Sequence, residues 1–253
     1  MKFEEAFCSE MSKLITVDEA AKIFRAEPAY FASKIKGNLL CPECRKPKLS
    51  FNNASTPYFS TYPLDQHDVE CPLRQEEMTQ EETKAFIKNS HNIEAIQRQA
   101  ESLLAMLLSS STGRKSATLK EHKLGTALAS IVNENRSKTV TRIPRKRIDT
   151  TFSEDDYDCY KLFYGTVHVQ WEDERSETKV QHKLLLRSIS NGRLLCKLNL
   201  TEKVYRYIDR RYKTPTEFNC KIVFLATFSH NKVGKSYHTT TLNYGQWLCL
   251  EKE

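Results

Sequence analysis

Tyr160-Lys161-Leu162-Phe163-Tyr164-Gly165-Thr166-Val167-His168-Val169-Gln170-Trp171 decides the fold class of the C-terminal half. Val167, Val169 and Trp171 alternate with Thr166, His168 and Gln170, the period of two that marks a strand buried on one face. Outward from it, residues 179–189, 193–200, 219–228 and 237–250 read as further strands. Leu194, Cys196, Leu198 and Leu200 alternate with Arg193, Lys197 and Asn199 in the third. Ser190-Asn191-Gly192 supplies a hairpin turn before it. Thr201 caps a helix over 201–213 whose Val204, Tyr207, Ile208 and Tyr212 face one way, while Lys203, Arg206, Arg210 and Lys213 face the other. One face buried and one polar predicts a closed or nearly closed antiparallel sheet.

N-terminal to this half the period changes to that of helices. Thr16…Glu19 and Thr79…Glu82 are capping boxes, predicting helix starts at residues 17 and 80. Pro28 opens a second short helix that Gly37 can stop. Ile93, Ile96, Ala100, Leu103, Leu104 and Leu107 give a further helix, broken at Ser109–Gly113, and residues 117–134 give another. Thr141-Arg142-Ile143-Pro144-Arg145-Lys146-Arg147-Ile148 then places four cations on an extended segment, the densest positive patch in the chain. It reads either as a linker that grips phosphates or as a solvated hinge. The acidic run Glu154-Asp155-Asp156 and Asp158 stands close enough to fold back onto it.

The most specific chemistry lies at Cys41-Pro42-Glu43-Cys44 and His67-Asp68-Val69-Glu70-Cys71. A C-x-x-C knuckle followed by an H-x-x-x-C pair is a Cys3His set, the soft and borderline donors of a structural Zn2+ site. A redox C-x-x-C pair would leave His67 and Cys71 unexplained. A catalytic zinc would keep one position for water, which four protein ligands deny. Phe51, Tyr58, Phe59 and Tyr62 between the two limbs are expected to roof the site. Cys196, Cys220 and Cys249 lie in apolar runs and read as small buried side chains, with Cys8 and Cys159 also unliganded.

Cys41, Pro42, Cys44, Phe59, His67 and Cys71 resemble the zinc-binding N-terminal segment of competence-protein CoiA-like proteins. In that family a nuclease-like domain follows. No clustered Asp/Glu-x-Lys arrangement appears here after residue 75, so the resemblance implies a zinc module alone. Five strands with a helix between the third and fourth resemble the element order of an OB-fold, which implies a barrel that binds nucleic acid or protein.

The 253 residues carry 39 basic and 32 acidic side chains, a net charge of +7, which permits an anionic partner without demanding one. No run of apolar residues is long enough to span a membrane and no leader sequence is evident, so a cytoplasmic protein is expected. Seven glycines leave little room for phosphate loops; dinucleotide, nucleophile-elbow and zincin motifs are absent. His168, His182, His230 and His238 can gather on the barrel, but nothing marks a nucleophile beside them. The chain therefore reads as an α+β protein, with a helical and zinc-binding N-terminal half followed by a small antiparallel, OB-fold-like β-barrel. The expected divisions are 1–75, 76–140, a basic linker 141–156, and a barrel 157–253. The expected function is non-catalytic binding of DNA or RNA, single strands included, by Arg142, Arg145, Lys146, Arg147, Tyr164, Trp171, Lys183, Arg187, Arg193, Lys197, Arg206 and Arg210. The alternatives are an adaptor or assembly subunit of a bacterial multi-protein system, docking a protein through the barrel, and a metal-dependent hydrolase.

Overall fold

The computed structural model describes residues 2–62, 65–69, 71–111, 141–175, 180–212, 215–229 and 237–252. The chain divides into two compact units, one of Met1–Glu76 and Ala105–Arg142, the other of Glu77–Leu104 and Ile143–Glu253. The helix expected over 117–134 lies outside the described residues.

In the first unit, strands β1 (Lys2–Phe3), β2 (Glu5–Cys8) and β3 (Lys13–Thr16) lead into helix α1 (Val17–Ala26). Its start is the capping box: the Glu19 N–H donates to Thr16 Oγ1 at 3.1 Å, and the Thr16 N–H donates to Glu19 Oε2 at 2.9 Å. Pro28 begins another turn, and Phe31–Ile35 widens to a π-helix that ends at Gly37, where φ is +86°. Strands β4 (Leu39–Leu40), β5 (Leu49–Asn52) and β6 (Tyr58–Thr61) complete two three-stranded sheets, ordered β3-β2-β4 and β1-β6-β5. These short strands escaped the sequence reading because none is long enough to show an alternating period. Val17, Ala20, Phe31, Ile35, Leu39 and Phe59 pack together with Cys41 and Cys71 in one core.

The second unit begins with helix α2 (Gln80–Lys88), capped by Thr79 and Glu82, and with the first part of α3 (Ile93–Ser111), which buries Ile96, Ala100 and Leu103. Its sheet holds β7 (Arg145–Arg147), β8 (Lys161–Arg175), β9 (Val180–Ser188), β10 (Leu194–Leu200), β11 (Glu217–Ala226), β12 (His238–Leu242) and β13 (Leu248–Lys252), with helix α4 (Glu202–Tyr212) after β10. The order is β12-β10-β9-β8-β11-β13, and β7 lies parallel to the start of β8.

The α+β class stands, but the barrel does not: among the described residues no sheet closes. Residues 237–250 are two strands divided by the Gly245–Trp247 turn. Strand β12 pairs in parallel with β10, and β13 pairs antiparallel with β11 at the opposite edge. Closing an OB barrel would require those edges to be joined. Instead, Val204 and Ile208 of α4 enter the core that Val167, Val169, Leu184, Leu186 and Leu198 build from the sheet's inward face. Burial alternates with a period of two over residues 166–170 of β8, whereas residues 220–226 of β11 are buried on both faces.

Candidate metal centre

The Cys41–Cys44 knuckle is the loop of a hairpin. Leu40 and Lys48 bridge its base, the Cys41 N–H donates to the Pro47 carbonyl at 2.9 Å, and the Arg45 N–H donates to the Cys41 carbonyl at 3.1 Å. Arg45 takes the left-handed conformation with φ of +55°, the bend that turns both thiols to one side. The second limb is fastened to the first. Lys46 Nζ stands 2.8 Å from the Asp68 carboxylate, and the Lys48 N–H donates to Asp65 Oδ2 at 2.9 Å. The Cys71 N–H closes a turn on the Asp68 carbonyl at 3.0 Å before the Pro72–Arg74 helical turn.

The ligand atoms of Cys41, Cys44, His67 and Cys71 all lie within 4.8 Å of one another. Cys41 Sγ and Cys71 Sγ are 3.9 Å apart; His67 Nδ1 is 3.7 Å from Cys44 Sγ and 3.4 Å from Cys71 Sγ. A tetrahedral Zn2+, with Zn–S of ~2.3 Å and Zn–N of ~2.0–2.1 Å, sets edges of about 3.8 Å between sulfurs and about 3.6 Å between sulfur and nitrogen. These three separations match edges of the tetrahedron such an ion needs. His67 turns Nδ1 toward the sulfurs, and its Nε2 is buried with no hydrogen-bond partner among the described residues.

The electrostatics agree. Three thiols this close cannot all ionise without a cation. The thiols of Cys41 and Cys71 donate to Cys44, and backbone N–H groups of Asp68 and Lys46 add to them, holding Cys44 far below the usual thiol range despite its partial burial. Cys44 in turn pushes Cys41 up to about 12, with burial adding to the rise. Cys71 is driven well above the thiol range by Cys41 and Cys44. The N–H groups that face the sulfurs are the outer support a thiolate–metal centre requires.

The four residues picked out by spacing thus come together. Of the four aromatics expected to roof the site, Phe59 shares the core of Cys41 and Cys71, and Phe51 and Cys44 pack against that core; Tyr62 is exposed, and Phe3 stands 5.9 Å from the His67 ring. The sequence reading missed Asp65 and Asp68. Their position in the return loop beside the ligands is a signal that could have found them.

Most of the residues assigned to nucleic-acid contact are buried or partnered within the fold. Arg142, Lys146, Arg147 and Tyr164 are buried. Lys146 and Lys161 share the Asp156 carboxylate at 3.2 and 2.6 Å, and Arg147 makes a two-pronged pair with Asp149 at 2.7 and 2.9 Å. Residues 145–147 of the segment form a strand beside β8, Ile143 and Ile148 are buried, and Asp156 and Asp149 pair with Lys146 and Arg147. Arg145 is half-buried in that strand. On the sheet, Lys183 pairs with Glu174, Lys197 stands 3.7 Å from Glu172, and Arg187 donates to the Gly192 carbonyl at 3.3 Å. Trp171 packs edge-on against Tyr205 under α4. Arg193 and Arg210 are exposed, and exposed Arg206 pairs with Glu202 at 2.7 Å. With no closed sheet, binding of DNA, RNA or protein through a barrel surface is withdrawn.

The histidines do not gather either. His168 lies on the outer face, 2.9 Å from Asn219 Oδ1. His182, on the opposite face, places its two ring nitrogens 2.8 Å from Asp173 and 3.0 Å from Glu202 and stacks on Tyr205 at 3.6 Å. His238 stacks on Phe152 at 4.0 Å, and His230 lies outside the described residues. Burial lowers the His238 imidazole below its ordinary range.

Compared with models of protein families, with curated proteins and with solved structures, the chain matches none. The resemblances to CoiA-like proteins and to the OB-fold are therefore overturned as kinship, and the ligand set of residues 41–71 is what remains. No helix among the described residues is long and apolar enough to cross a membrane.

Proposed function

We propose that the chain is a non-catalytic zinc protein in which Cys41, Cys44, His67 and Cys71 hold one Zn2+ as a structural staple of the first unit. The carrying observation is that the four donors lie within 4.8 Å of one another, close enough for one tetrahedral ion to reach all of them. Three thiolates and an imidazole favour Zn2+ over the hard cations. When bound, the ion supplies folding free energy to the first unit beside that of its core. Cys41 and Cys71 belong to the same core as Phe3, Ile15 and Leu39, so ligation fixes packing as well as loops.

The test is metal analysis of the purified full chain, followed by replacement with Co2+. One zinc per chain is expected, together with the absorption of a tetrahedral sulfur-rich Co2+ site that added azide leaves unchanged. Metal-free protein would sink the zinc assignment. A spectrum shifted by azide would reveal an open position and sink the structural role.

A further inference from the structure

We infer that this site responds to hydroperoxides and that Cys44 is the point of attack, a reading that rests on the zinc assignment above. The three sulfurs differ in access. Cys41 is fully buried and Cys71 is 4 % exposed, whereas Cys44 is half-buried at the rim of the site. Lys46, two residues on, has a side chain 61 % exposed, and the return limb presents Val69 to solvent. The five remaining cysteines, Cys8, Cys159, Cys196, Cys220 and Cys249, are all buried. An oxidant arriving from water therefore meets Cys44 first, and reactivity of a thiolate follows access as well as charge.

The chemistry balances with a hydroperoxide as the only oxidant. The Cys44 sulfur attacks the distal peroxide oxygen, the O–O bond breaks, and hydroxide (for hydrogen peroxide) leaves as Cys44 becomes a sulfenic acid. The Cys41 sulfur then attacks the Cys44 sulfur, an S–S bond forms, and a second hydroxide departs. Two thiolates lose two electrons in all, the peroxide gains them, and solvent protons convert both hydroxides to water. Cys41 is the resolving partner because two residues tether it to Cys44, the two sulfurs lie within 4.8 Å, and the Cys44 N–H already points at Cys41 Sγ. His67 and Cys71 alone are too few to keep the ion. Because Cys41 and Cys71 line the core of the first unit, its loss reaches the fold.

The experiment uses the zinc-loaded full chain with hydrogen peroxide as probe and three readouts. These are zinc release to a colorimetric chelator, dimedone trapping with peptide mapping, and disulfide mapping without dimedone. Dimedone is expected on Cys44, one zinc should leave per Cys41–Cys44 disulfide, and thiol reductant plus Zn2+ should restore the site. Cys44→His keeps a ligand without an oxidisable sulfur and should slow release by about tenfold or more. Should that variant fail to hold zinc, mapping of the unaltered chain decides alone. Label on another cysteine, or zinc retained after peroxide, overturns the inference. A chain purified without zinc fails the preceding assignment instead, so the two failures are distinguishable.

Discussion

Replacing Asp156 by Asn removes a negative charge that Lys146 and Lys161 share, without changing the side chain's volume. The carboxylate is 5 % exposed, with Lys146 at 7 % and Lys161 at 15 %. It also accepts from the Ser153 N–H at 2.7 Å and hydroxyl at 3.1 Å. An amide NH2 in that place would oppose a donor with a donor. Removing one partner of a buried ion pair costs about 3–5 kcal/mol. The Thr151 carbonyl still accepts from Lys146 at 2.7 Å, so the lower end, about 3 kcal/mol, is expected. Urea titration of wild type, Asp156→Asn, Lys161→Met and the double variant measures this, and the double variant should lose less than the sum of the single changes. The pH dependence has a definite sign. Burial raises the Asp156 carboxyl, but the Lys161 hydrogen bond, the Ser153 N–H and the Lys146 charge outweigh it and hold the group below its ordinary range. Its stabilisation is thus present above the ordinary aspartate value of about 3.9 and fades as pH falls through the lower folded value. Wild type and Asp156→Asn should converge in acid. A loss under about 1 kcal/mol at neutral pH, or parallel acid curves, would refute the reasoning.

Further outcomes follow from the second unit. His182→Ala leaves Asp173 and Glu202 without their shared partner and empties the stack on Tyr205, so chemical denaturation should show a loss of about 1–3 kcal/mol. Gly245→Ala places a Cβ 2.3 Å from Tyr207 Cδ1 and 2.7 Å from Cγ, and should cost about 1–3 kcal/mol by forcing the ring of α4 aside. Gly192→Ala meets nothing within 4 Å but sits at φ +68°, so backbone strain alone should cost about 1 kcal/mol, and thermal melts should separate the two glycines. His238 is held below its ordinary range by burial, so the unfolded chain takes up a proton first. Stability should fall as pH drops below about 6.5, and His238→Phe should flatten that slope.

Local signals were legible in the sequence because each rests on a few neighbouring residues. Thr16 and Thr79 marked their helix starts, the alternation around Val167 marked β8, and Cys41, Cys44, His67 and Cys71 marked the ligand set. Pairing between distant strands was not legible. Nothing in residues 237–250 says that one half lies parallel to β10 and the other beside β11, and the bend between them depends on Gly245 giving room to Tyr207. The cations of residues 142–147 misled for a related reason. Charge density in a sequence does not show which carboxylate a cation will meet, and here Asp156 and Asp149 meet Lys146 and Arg147 as the chain folds onto β8.

The central claim is that one ion holds the first unit together through four protein donors. Hydrogen exchange of the full chain, with its zinc and after removal by a high-affinity chelator, tests it most directly. Protection of residues 37–75 should collapse on chelation and return with added Zn2+, while strands β8 to β11 keep theirs. Equal protection of residues 37–75 with and without the metal would contradict the account.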